Sequence, residues 1–309
     1  MVIAAGAQTA MACDLCAIYA ANQAHGDIGS GPFAGVAEQY TRFGTVQIDG
    51  RPVSDPSGQY MDSIISQVFA GYNITPRIGL QFTVPMIYRS YKRPDGAGGI
   101  EHGTEAGIGD VALLANAVAY RVNRKERTFN WSLLAGVKFP TGDSDRIKEE
   151  AAEIEDPVGP PSGIHGHDLA LGSGSFDGII GSSIYSRWRK VFVAANVQYA
   201  IRSEGDFGYR FANDLVWSFA PGFYVVLDEQ YSITFQAVAS GEYKDKDKFR
   251  GETAEDTGLT AVYLGPEIGF TWGEHLSARL GADLPVTQEN TSLQTVPDFR
   301  IRAGLTWHF

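Results

Sequence analysis

The sequence predicts an all-β fold, a closed antiparallel transmembrane β-barrel of about 12 strands. Three observations support this fold class. Several segments alternate strictly between apolar and polar residues over about a dozen positions. Short and long connections alternate between these segments. The chain also combines 36 Gly and 12% aromatic residues with only 4 Met, a composition typical of turn-rich β proteins.

The alternating segments identify the strands. Five clear runs cover residues 77–88, 129–139, 191–201, 276–286 and 299–309. Weaker runs cover residues 34–48, 60–74, 106–121, 167–186, 207–225, 229–243 and 258–272. Together they predict twelve strands, and an even number is usual for single-chain bacterial barrels. A soluble sandwich also alternates, but its strands are usually shorter, at about 5–6 residues.

The connections predict how the barrel is oriented. Short connections lie at 75–76, 122–127, 187–189, 226–228 and 273–274, and longer ones at 49–59, 92–105, 142–166, 244–257 and 289–296. The short link at 204–206 is an exception. Outer-membrane barrels have short periplasmic turns and longer extracellular loops. We therefore expect both chain ends to be periplasmic. Aromatic residues near strand ends predict interfacial girdles, among them Trp131, Trp188, Tyr224 and Trp272.

Charge and hydropathy exclude several classes of protein. The 309 residues include 25 Lys and Arg against 36 Asp and Glu, so the net charge is 25 − 36 = −11. A nucleic-acid partner is not expected, because it needs a basic surface. The chain has no apolar run of 18 residues, so no transmembrane helix is predicted. A barrel remains compatible with this composition because its apolar residues are separated by alternation.

The N-terminus predicts export. Residues 1–12 are small or apolar and end in an A-x-A site, as in the last part of a signal peptide. We expect residues 13–32 to form a periplasmic segment that could fold back as a plug. Residues 33–309 then form the barrel.

Cys13 and Cys16 form a C-x-x-C pair and are the only cysteines of the sequence. An internal disulfide is the first expectation for an exported protein. Zinc or copper binding, with His25, would have an incomplete ligand set, and contact with a periplasmic partner also stays open. Haem attachment requires a His where Ala17 stands. We therefore predict no cofactor.

Several motifs carry a resemblance to known outer-membrane proteins. The chain closes with alternating apolar residues that include Trp307 and Phe309, and this resembles the signature read by the barrel-assembly machinery. The motifs LGSGSFDG (171–178), GLTAVYLGPEIGF (258–270), LGADLPVTQ (280–288) and GVKFPTG (136–142) lie within residues 77–309. They resemble the "MetA-pathway of phenol degradation" family. The resemblance implies an outer-membrane transporter but supplies no substrate.

Charged and polar residues on the inward parity are the candidate solute pathway. They are Arg77, Arg89, Arg202, Arg279, Asp283, Arg300, Arg302, Ser175 and Asp177, with Asp214, Glu267 and Asp298 on the same face. Charges kept from lipid must contact water or one another. Eight strands enclose packed side chains and 16–18 leave an aqueous channel, so twelve allow either a narrow pore or a plugged barrel.

Two further features concern function. Residues 142–158 hold seven acidic residues against two basic ones, which indicates a solvated loop or a vestibule that attracts cations. We expect no enzyme activity, because the sequence lacks G-x-S-x-G and no His lies on a lipid-facing strand beside a Ser. The predicted function is movement of a small solute through a charged lumen in the outer membrane. The alternative is a non-conducting barrel that anchors a periplasmic partner or metal through Cys13 and Cys16.

Overall fold

The computed structural model describes residues 31–95, 98–149 and 162–309. The signal-peptide remnant, the periplasmic segment up to residue 30, Cys13 and Cys16 lie outside the described residues, and their assignments stay predictions. The first strand begins at Gly31, two residues before the predicted start of the barrel.

Thirteen long strand segments form the wall. Their bounds are β1 Gly31–Ile48, β2 Tyr60–Thr75, β3 Ile78–Pro94, β4 Ile100–Ile108, β5 Ala112–Arg124, β6 Arg127–Lys138, β7 Asp177–Trp188, β8 Val191–Ile201, β9 Asp214–Leu227, β10 Tyr231–Lys244, β11 Leu259–Trp272, β12 Leu276–Asn290 and β13 Leu293–His308. Segments β4 and β5 pair with successive parts of β3, so they form one interrupted strand. The last strand pairs antiparallel with the first from Phe33 to Ile48. The predicted closed barrel of 12 strands is therefore confirmed.

Short strands and helices lie in the connections between the long strands. The two-residue strands are Arg51–Pro52, Tyr209–Arg210, Lys248–Phe249 and Glu252–Thr253. One-turn helices cover Asp145–Ile147, Gly166–Leu169 and Asp206–Gly208. Within the described ranges, no helix is long and apolar enough to cross a membrane.

The two rims of the barrel differ. One rim, the short-turn end, carries connections of two or three residues, at 76–77, 125–126, 189–190, 228–230 and 273–275. The opposite rim, the long-loop end, carries residues 49–59, 139–176, 202–213 and 245–258. This arrangement follows the predicted alternation, with three differences. The connection expected at 92–105 is limited to 95–99, because strand pairing extends to Pro94 and resumes at Ile100, and the short link expected at 204–206 is the long loop 202–213. The connection expected at 289–296 is a two-residue turn, in which Ser292 adopts a positive φ of 57°. The Asn290 amide donates to the Ser292 carbonyl at 2.8 Å, and this hydrogen bond stabilises the turn.

Apolar side chains cover the outside of the wall. Phe82, Trp131 and Ile301 lie on three different strands and are 46%, 41% and 43% exposed. Their inward-facing neighbours are polar, as at Thr83, which is fully buried. Tyr224 is an exception to the predicted girdle, because it faces inward and packs with Tyr185 and Phe192.

Two predicted strands begin later than expected. The run at 167–186 becomes a strand of the wall only at Asp177, and the run at 207–225 becomes one only at Asp214. Positive φ angles at Gly174 (67°) and Phe207 (61°) interrupt extended backbone before each of these strands. Residues 162–176, which precede the first of these strands, fold into the barrel, where Leu171 packs against the inner face of β1, β2 and β3. We call residues 162–176 the inward segment.

A charge on the outer face should destabilise the barrel. Phe82→Arg is expected to lower the free energy of unfolding by about 2–4 kcal/mol, because the outward position contacts lipid. The matched control is Gln81→Arg, one residue away on the half-buried inner face, which should change stability little. Urea unfolding in lipid vesicles measures both variants. Equal losses would contradict the assignment of the two faces.

Candidate functional site

The inward segment packs against the inner face of the wall. Leu171 is 6% exposed and lies in an apolar cluster with Ala37, Ile65, Phe69 and Ile87, which come from β1, β2 and β3. The inner face of these strands is apolar where the segment covers it. The strict division into an apolar outside and a polar inside therefore does not hold at this place.

Other parts of the inward segment fill the long-loop end. Ile164 and Leu169 pack with Phe43, Met61 and Tyr91, where β1, β2 and β3 reach the long-loop end. On its other side, Ala170 packs with Tyr209 and Phe249, which belong to the loops at 202–213 and 245–258. Three loops therefore meet inside the mouth of the barrel at the long-loop end.

Hydrogen bonds fix the segment to the wall. Arg89 lies on β3, and its Nη1 donates to the Ala170 carbonyl at 2.7 Å. From β13, the Thr295 amide donates to the Gly163 carbonyl at 2.7 Å. The segment is thus held to strands on either side of the seam between β1 and β13. Arg89 faces inward, as its parity predicts, but it binds the segment in this structure.

A buried network of charges lies under the motif LGSGSFDG. The Lys138 ammonium lies 2.5 Å from Asp110 and 2.8 Å from Asp177. Arg202 then bridges Asp177 at 2.8 Å and Asp214 at 2.6 Å. Each of these five side chains is at most 4% exposed. Three carboxylates and two cations are therefore paired away from solvent.

The serines of the motif complete this network. Ser173 donates to Asp110 at 2.8 Å, and Ser175 donates to Asp177 at 2.8 Å. Asp110 also accepts the Thr141 and Gly142 amides at 3.1 and 3.0 Å. Ser175 and Asp177, predicted to form part of a solute pathway, are thus engaged in fixing the end of the inward segment.

A second group of charges fixes the helical turn at Asp145–Ile147. Arg146 lies 2.5 Å from Glu105 and also pairs with Glu149, which Arg93 contacts at 2.6 Å. Burial lowers the pKa of Arg146, but the hydrogen bonds with Glu149 and Glu105 outweigh burial and hold the pKa above its ordinary value. This guanidinium is therefore charged, and through Glu105 it binds the acidic loop that contains Arg146 to β4.

Charges on the inner face of β10 to β13 are also paired. Arg302 binds Asp283 through two hydrogen bonds of 2.7 and 2.9 Å and lies 3.2 Å from Glu267. Arg300 lies 2.9 Å from Glu242, and its guanidinium stacks 3.9 Å from the centre of the Tyr263 ring. These arginines and Asp283 face inward, and the ion pairs join β13 to the adjacent β12 and, across the inner face, to β11 and β10.

A cavity of about 320 Å³ opens at the short-turn end of the lumen. We call it the short-turn cavity. Arg279 lines it, whereas Arg300 does not. Arg77 lies in the turn between β2 and β3 and is exposed there, so its predicted place on the strand is wrong. The strand begins one residue later, at Ile78.

Sequence reasoning missed several residues of the site. Asp110 lies in the break between β4 and β5, where no alternation marks it. Lys138 was on the polar face of a predicted strand, but its partners lie 28 and 39 residues away in the chain. Among the residues that the structure describes, no group of three or more His, Cys, Asp or Glu side chains could hold a metal ion.

Comparisons with known proteins show the class of fold. No protein-family model and no curated protein matches the chain. Among solved structures, it is similar to the COG4313 outer membrane channel from Pseudomonas putida F1. The identity is 16%, the TM-score is 0.64, and the match covers 91% of this chain and 96% of that chain. A Pseudomonas aeruginosa FadL homologue matches more weakly, with 10% identity, a TM-score of 0.40 and coverage of 97% and 99%. The chain thus has the fold of an outer-membrane β-barrel.

Proposed function

We propose that this protein is a channel of the bacterial outer membrane that passes a small solute through its lumen. One observation carries the proposal: the barrel is closed, its outer face is apolar, and its lumen holds charged side chains and a cavity of about 320 Å³. Lipid contacts the outer face and water enters the inner one. We assign the protein no catalytic role.

The inward segment is the gate of this channel. It is held by the Arg89 hydrogen bond, by the apolar cluster around Leu171 and by the network around Lys138. Solute that enters from the long-loop end must pass it before it reaches the short-turn cavity. A gated barrel, rather than a permanently open pore, is therefore our proposal for the lumen.

The orientation follows from the rims. The long loops face the outside of the cell, and the short turns and both chain ends face the periplasm. The C-terminal Trp307 and Phe309 are exposed on the outer face, where the assembly machinery could bind them.

We also propose membership of the "MetA-pathway of phenol degradation" type. The support is the set of motifs around 136–142, 171–178, 258–270 and 280–288. Two of these motifs supply the Lys138–Asp177 pair, and a third supplies Asp283. The phenol label is not part of the proposal.

Osmotic swelling of proteoliposomes tests the channel. Liposomes that contain the folded protein should swell in arabinose faster than protein-free liposomes, because the sugar enters through the lumen. The same protein added after heat unfolding is the control. Equal rates in all three preparations would overturn the proposal. If Cys13→Ser then abolished co-purification of a periplasmic protein, this result would support a non-conducting barrel that anchors a periplasmic partner.

A further inference from the structure

The short-turn cavity has two chemically different walls. Its lining residues come from β5 to β12 and from the turns between them. One wall, on β7, β8 and β9, is aromatic. The rest of the lining, on β10, β11 and β12, carries hydroxyl groups and Arg279, together with Phe270.

The aromatic wall is a packed group of three rings. The Phe192 ring centre lies 5.7 Å from that of Tyr185 and 5.4 Å from that of Tyr224. The two tyrosine hydroxyls are hydrogen-bonded at 2.6 Å. This bond and the burial of Tyr185 and Phe192, which are 7% and 4% exposed, hold the rings in place. A planar apolar group entering the cavity meets mainly the half-buried Tyr224 ring, which the other two rings hold in place.

Two arginines and two acidic residues line the cavity, and the acidic residues, Asp228 and Glu229, are exposed in the turn between β9 and β10. Arg279 lines it from β12, and Arg187 lines it from the end of β7. Arg187 donates to the Arg189 carbonyl at 2.9 Å and to the Thr128 hydroxyl at 3.1 Å, and both acceptors are neutral. This differs from Arg202, Arg300 and Arg302, which bind carboxylates. A planar guanidinium is well suited to bind a carboxylate.

The rim beside the aromatic wall is basic, although the chain is acidic. Residues 121–127 and 187–190 contain seven Lys and Arg and one Glu, a net charge of 7 − 1 = +6. The whole chain has a net charge of −11. Clustered charge at a cleft raises the local concentration of counter-ions, so these two turns attract anions, whereas the turn at 228–230 carries Asp228 and Glu229.

We propose that the short-turn cavity binds a small aromatic monocarboxylate. Its ring lies against Tyr224, which Tyr185 and Phe192 support from behind, and its carboxylate faces Arg279. The volume of about 320 Å³ is at the lower end for ligand sites, which suits a molecule with one ring. This inference rests on the proposed function, since it names the class of solute that passes the lumen.

Calorimetric titration of the purified full-length protein with three probes tests the site. Benzoate should bind. Cyclohexanecarboxylate has the charge but no aromatic ring, and should bind about threefold to tenfold more weakly. Benzyl alcohol has the ring but no charge, and should bind at least about tenfold more weakly. No binding of benzoate, or equal binding of all three probes, would overturn the inference.

Variants separate the two walls. Arg279→Gln should weaken benzoate binding at least about tenfold, whereas Arg51→Gln, an exposed arginine at the other rim, should leave it unchanged. Tyr224→Leu should bring the ratio of benzoate to cyclohexanecarboxylate affinity close to one. An unchanged affinity in Arg279→Gln would contradict the site. If a variant does not fold, the comparison of probes on the natural protein still decides.

The swelling assay separates this inference from the proposed function. Swelling without benzoate binding would contradict the proposed aromatic monocarboxylate ligand and would still support the channel. Absence of swelling would contradict the proposed channel function, whatever the result of the titration.

Discussion

Replacing Lys138 with methionine is expected to lower the free energy of unfolding by about 3–5 kcal/mol. The ammonium lies between Asp110 and Asp177, and all three side chains are at most 4% exposed. Removing the cation leaves the buried Asp110 carboxylate without a cation, whereas Asp177 keeps Arg202, and an uncompensated buried charge costs more than the original pair is worth. Urea unfolding in lipid vesicles measures the loss.

Two variants control this prediction. Lys190→Met removes an exposed lysine from a turn and should change stability by no more than about 0.5 kcal/mol. The double variant Lys138→Met/Asp110→Asn should recover part of the loss, because the charge left by the first change is neutralised. A loss below about 1 kcal/mol in Lys138→Met, or no recovery in the double variant, would contradict the role of the network.

Leu171→Asp is expected to release the inward segment and open the long-loop end. The side chain lies among Ala37, Ile65, Phe69 and Ile87, and a carboxylate without a partner there costs several kcal/mol. The segment can avoid this cost by leaving the lumen, while the strand pairing of the wall stays intact. Proteoliposomes with this variant should swell in raffinose several-fold faster than those with the natural protein.

The matched control is Leu171→Met, which keeps volume and hydrophobicity and should behave as the natural protein does. An unchanged swelling rate in Leu171→Asp, with the barrel still folded, would show that the segment does not limit passage. The gate would then have to lie elsewhere in the lumen.

Alternation along single strands made most of the fold predictable. A run such as 77–88 encodes its own two faces, so Phe82 and Thr83 could be assigned to opposite sides of the wall. The ends of strands were less predictable. Asn290 extends a hairpin through side-chain hydrogen bonds to the backbone, and a polar sequence at that place indicates a loop as readily as a turn.

The lumen was less predictable than the wall because its contacts join distant parts of the chain. Parity correctly placed Arg300 and Arg302 on the inner face, but it could not show that Glu242 and Asp283 neutralise them there. The path of the inward segment depends on backbone conformation at Gly174 and on packing of Leu171 against three strands. No local pattern encodes such contacts.

Modification of a cysteine at position 279 during single-channel recording tests the central claim most directly. The variant Arg279→Cys is made with Cys13→Ser and Cys16→Ser, so that the introduced thiol is the only one. Val286→Cys, 61% exposed on the outer face of the same strand, is the control. If solute passes through the lumen beside the short-turn cavity, a bulky thiol reagent will reduce the current steps of Arg279→Cys and leave those of Val286→Cys unchanged. Current steps that the reagent leaves unchanged in both variants, or that it reduces only in Val286→Cys, would contradict a path through this lumen.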